Sequence, residues 1–60
     1  MAGLTVYLVV DHKILRRGLA GIIRGFAGVS RVEEASAGAD LLQLLRRERP
    51  DVIILEYGMP

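Results

Sequence analysis

Two acids stand where apolar runs stop: Asp11 after Leu4–Val10, and Glu56 after Asp51-Val-Ile-Ile-Leu55. If both runs are strands of one parallel sheet, the two acids share its carboxyl edge, where open α/β sheets place their sites. The chemistry offered there is that of anionic oxygens. His12 adjoins Asp11, but there is no cysteine and no second histidine to complete a ligand set, so a structural hydrogen bond is the plainer expectation. The acids have plain readings as well, Asp11 as a helix cap and Glu56 as a solvated charge. The connection Val10-Asp-His-Lys13 carries no glycine. A backbone therefore cannot approach a pyrophosphate there, and the nucleotide-binding half of an enzyme is disfavoured.

The elements that must position these acids follow from periodicity. Leu4–Val10 is β-branched and almost continuously apolar, as in a strand buried on both faces of a parallel sheet. From Ile14 the apolar residues Ile14, Leu15, Leu19, Ile22, Ile23 and Phe26 recur in helical steps, with Arg16, Arg17 and Arg24 off the stripe, which predicts an amphipathic helix. Gly28 follows its last turn, where a left-handed residue can close a helix. Val29–Ala35 is a second strand. Ser36-Ala-Gly-Ala-Asp40 supplies a turn and an acid for a helix N-terminus, and Leu41, Leu42, Leu44 and Leu45 give the next helix a core face. Pro50 limits that helix at Arg49 or before. Asp51–Glu56 is the third strand and Tyr57–Pro60 the loop that leaves it. Strands alternating with helices imply parallel pairing in one α/β layer structure.

Composition narrows the function. Of the 60 residues, 52% are apolar, which excludes a disordered chain. A domain of this size hides only about 60% of the surface its unfolded chain exposes, so stability should be marginal. Without cysteine there is neither disulfide nor thiolate metal site, an absence that suits the cytoplasm. No stretch is apolar for long enough to be a signal core or a membrane span. The formal charge of +1 comes from arginines scattered among acids, the pattern of a solvated face, so no direct DNA contact is expected.

Asp11-His12 followed by Arg16, Gly18 and Leu19 resembles the opening of response-regulator receiver domains, especially those with a LuxR-type output domain. Glu34-Ala-Ser-Ala-Gly38 is similar to that family's second loop, Arg49-Pro-Asp-Val-Ile-Ile-Leu55 to its third strand, and Met59-Pro60 to the loop after its phosphate acceptor. The resemblance implies the amino-terminal half of a flavodoxin-like doubly wound fold over residues 1–60: β-α-β-α-β, three parallel strands in order 2-1-3, one helix on each face. It also implies a cytoplasmic module of two-component phosphorelay signalling, not an enzyme.

In that family an aspartate attacks phosphorus in line. Magnesium takes oxygens from two acids after the first strand and from the acceptor itself. On the resemblance, Val10 replaces the first acid, Asp11 keeps the second, and Glu56 stands at the acceptor position. The expected metal site is a weak Mg2+ site at Asp11 and Glu56, and Glu56 is expected to take phosphate slowly or not at all. The hydroxyl residue and lysine that the family supplies from later strands have no counterpart in these residues. A histidine kinase or phosphotransfer protein is the implied partner, through the first helix. An apolar third-strand edge, Val52–Leu55, suggests self-association. A truncated fragment of a DNA-binding response regulator, with no function of its own, is the alternative.

Overall fold

A computed structural model describes residues 3–56; the expected loop Tyr57–Pro60 lies outside them. The elements run β1 (Leu4–Val9), α1 (Lys13–Arg24), β2 (Val29–Ala35), α2 (Gly38–Arg47) and β3 (Val52–Leu55). The strands are parallel in the order β2-β1-β3, with Leu8 opposite Glu34 on one side and Ile54 on the other. This is the β-α-β-α-β arrangement, strand order 2-1-3, that the resemblance implied.

β1 is central, and alternation along it sorts the two faces. Val6, Leu8 and Val10 point to the α1 side and join Ala20, Ile23 and Val32 in one buried cluster. Tyr7 points to the other side, where its hydroxyl donates to the carbonyls of Glu48 and Leu44 at 2.7 and 3.2 Å, at the end of α2. One helix thus lies on each face. Val10 falls one residue beyond β1, yet its N–H still bonds the Ala35 carbonyl at 3.0 Å.

Three expectations change. The α1 stripe is only partly covered: Ile23 is buried and Leu19 half-buried, whereas Ile14, Leu15 and Ile22 are exposed, and so is Phe26 beyond the helix. Ala20, outside the stripe as read from sequence, is fully buried, because only a small side chain lets the helix backbone approach the strands closely. The α2 leucines are not a buried core face, since no residue of α2 is buried. Gly28 does take a left-handed conformation, with φ of 94°, but α1 has already ended at Gly25. Gly28 instead turns the chain into β2, its carbonyl accepting from the Leu4 N–H at 2.6 Å.

The entry to α2 is fixed by Asp40, in its first turn, whose Oδ2 accepts from the Ser36 hydroxyl at 2.8 Å and the Ser36 N–H at 3.2 Å. These two bonds hold the Asp40 carboxyl below the usual carboxylate range, against the opposing effect of desolvation, with Arg16 adding a smaller attraction. The folded value is the lower one, so this contribution to stability is complete above the ordinary carboxylate pKa and is lost as pH falls through the depressed value. Carboxyl carbon NMR should find Asp40 titrating lower than a free aspartate. Ser36→Ala should return it toward the ordinary value, and an unchanged titration would refute the assignment.

Candidate functional site

The site grows from the pairing of β1 with β3. Their parallel register places Val9 opposite Leu55, so the next residues of both strands leave the sheet side by side. The Glu56 N–H donates to the Val9 carbonyl at 3.0 Å, and the Glu56 side chain turns back so that Oε1 accepts from the Asp11 N–H at 3.1 Å. Asp11 and Glu56 do meet at the carboxyl edge. The Asp11 carboxylate is exposed and Glu56 half-buried.

Val10, the third position of interest, offers the site nothing polar. Its side chain is 2% exposed within the cluster under α1. The N-cap of α1 is His12, one residue after Asp11, and the His12 side chain makes no capping bond. The plain reading of Asp11 as the cap of α1 therefore does not hold here. α1 opens on Lys13 with no acid in its first turn, a choice that its dipole does not favour.

Arg16 was read from sequence as part of a solvated face, and the structure draws it inward. Its side chain is 15% exposed, with Nη1 donating to the Val10 carbonyl at 2.8 Å and Nε 3.4 Å from Glu34 Oε1. Glu34 also meets Arg24 at 3.4 Å, and Arg24 donates to the Val32 carbonyl at 3.2 Å. Arg31 pairs with Glu33 and, across to the end of α2, with Glu48. Asp51 extends the β1–β3 ladder by one rung, since its carboxylate accepts from the Thr5 N–H at 2.8 Å and its N–H donates to the Thr5 carbonyl at 2.9 Å. Periodicity could not flag these contacts. The available signal for Arg16 was its spacing, one helical turn beyond His12, which lets its long side chain fold back over the end of β1.

Among the described residues, no group of three or more His, Asp or Glu side chains is placed to hold a metal ion. Two carboxylates at one strand edge fit at most a Mg2+ that keeps most of its waters, the mode in which this ion is held by one or two acids.

The chain matches the family model of the response regulator receiver domain over residues 6–60. It belongs to the response-regulator receiver family. The receiver is 35% identical over 57 residues to the response regulator UvrY of Escherichia coli, covering 95% of this chain and 26% of that protein. It is 34% identical over 55 residues to the response regulator GacA of Pseudomonas aeruginosa, covering 92% of this chain and 26% of that protein. The DNA-binding transcriptional activator DevR/DosR of Mycobacterium tuberculosis is likewise 34% identical over 55 residues, with 92% and 25% covered. The receiver thus spans about a quarter of the length of these relatives. No solved structure matches it. Receivers are modules of two-component signalling and are generally not enzymes, and this membership sets aside the nucleotide-binding alternative.

Proposed function

We propose that this receiver works as an interaction module of two-component signalling that does not itself take up phosphate. One observation carries the reading: the carboxylate of Glu56, the residue that the resemblance puts at the acceptor position, is folded back onto the Asp11 N–H, and Val10, which the resemblance puts at a metal-acid position, is buried in the apolar cluster under α1. The extra methylene of glutamate carries its oxygens roughly a bond length further than aspartate would, and a displacement near 1 Å can cost about a hundredfold in rate. Asp11 and Glu56 are the residues that would hold a weakly bound Mg2+, which supplies neutralisation of phosphoryl charge when present.

The partner proposed is a histidine kinase or phosphotransfer protein. α1 supports it: the exposed Ile14, Leu15 and Ile22 lie among Lys13, Arg17 and Arg24, and the helix contains no acid. The module is proposed to be cytoplasmic, non-enzymatic and without direct DNA contact. No helix among the described residues is long and apolar enough to cross a membrane.

Incubation with magnesium and a small phosphodonor, followed by intact mass measurement, tests the reading. The unaltered chain should keep its mass, and a phosphoryl adduct on it would sink the proposal. Glu56→Asp, which leaves the buried Val10 in place, should show whether the acid at that position decides uptake. Titration with a receiver-docking kinase domain should shift α1 amide resonances, and unmoved resonances would remove α1 as the docking helix.

A further inference from the structure

The Val10 carbonyl and the Asp11 N–H belong to one peptide group. In this trans peptide they point in opposite directions. Arg16 Nη1 holds the carbonyl at 2.8 Å, and Glu56 Oε1 holds the N–H at 3.1 Å. A cation therefore sits at the negative end of the peptide dipole and an anion at the positive end, each through a charge-assisted hydrogen bond, and each polarises the group that the other binds. The guanidinium is itself held in place, since Nε lies 3.4 Å from Glu34 Oε1 and the side chain is 15% exposed.

We propose that Arg16 is the positioning residue of the site: it sets the plane of the Val10–Asp11 peptide, and through that peptide it is energetically coupled to Glu56 without touching it. The coupling links the end of β3 to α1, because Arg16 belongs to that helix. Glu34 is the second part of the device, aiming the guanidinium from β2. The inference rests on the hydrogen bonds alone and stands whether or not Glu56 takes phosphate, so the phosphodonor experiment bears only on the proposed function.

Amide hydrogen exchange on the full chain, without added metal, tests the coupling. Arg16→Met should speed exchange at the Asp11 amide by about tenfold, the order of effect when a hydrogen bond to a charged group is lost, while the Tyr7 and Leu8 amides keep their protection. Arg16→Lys should retain most of the slow exchange, because an ammonium can still donate to the Val10 carbonyl. Glu56→Met, which removes the acceptor, should also expose the Asp11 amide, and adding Arg16→Met to it should change little more. Unchanged Asp11 exchange in Arg16→Met, or effects of the two substitutions that simply multiply, would overturn the proposal. If Arg16→Met loses the protected strand amides, Glu34→Ala decides. It leaves both bonds to the peptide possible but releases the guanidinium, so several-fold faster exchange at Asp11 is expected, and none refutes the coupling.

Discussion

Tyr7→Ala should cost about 3–5 kcal/mol, the usual range for removing a buried aromatic side chain. Tyr7 is 1% exposed in the central strand and, with Leu8 and Val9, is among the largest fully buried side chains. It also carries the hydrogen bonds from β1 to the end of α2, to the Leu44 and Glu48 carbonyls. α2 buries no residue of its own, so this hydroxyl is a principal tether of the helix to the sheet. Tyr7→Phe separates the two roles. It keeps the ring and removes the hydroxyl, and it should cost about 1 kcal/mol, the net worth of a typical hydrogen bond. Denaturant unfolding followed by circular dichroism measures both. A loss for Tyr7→Phe as large as that for Tyr7→Ala would show that the hydroxyl, not ring packing, dominates, while a Tyr7→Ala chain as stable as the parent would contradict the core assignment.

The second large effect concerns association. Among the described residues β3 is the edge of the sheet beyond β1, and all four of its side chains are exposed, from 38% at Ile54 to 57% at Leu55. The opposite edge, β2, presents Ser30, Arg31, Glu33 and Glu34, with Arg31 held in ion pairs. Charged edges resist strand addition, and long apolar ones invite it. The chain should therefore elute from size exclusion, with light scattering, above its monomer mass at micromolar concentration. Ile54→Lys, which places a charge on that edge, should return it to a monomer, and so should Ile53→Lys on the opposite face. A parent chain that runs as a monodisperse monomer would rule out association through β3.

The sequence was most legible where one periodicity acted alone. β-branched runs marked β1 and β3, and because parallel pairing follows from the alternation of elements, the meeting of Asp11 with Glu56 could be anticipated. β2 was found with its observed limits, Val29 and Ala35. Legibility failed where burial depends on what lies across from a residue. The periodicity of Leu41, Leu42, Leu44 and Leu45 states that α2 has an apolar face, but not how much of that face the sheet covers, and Leu42 remains 59% exposed. Ala20 was overlooked because a small residue adds little to a hydrophobic stripe, although close helix–strand contact selects for it. Arg16 was misread for a different reason. A charged residue off the stripe is normally solvated, and only the three-dimensional proximity of the Val10 carbonyl and Glu34 turns it inward.

The burial of Val10 gives the domain a thermodynamic interest in staying as it is. On the proposed correspondence with the family, the position that lost a metal-binding carboxylate gained a valine sealed among Leu8, Ile23 and Val32. Burying such a side chain is worth roughly 1.5–3 kcal/mol, a substantial share of the stability of a typical domain. Reversion to aspartate would exchange that gain for a desolvated charge. An acid at this position would therefore need compensating changes under α1, and stability itself favours keeping the valine.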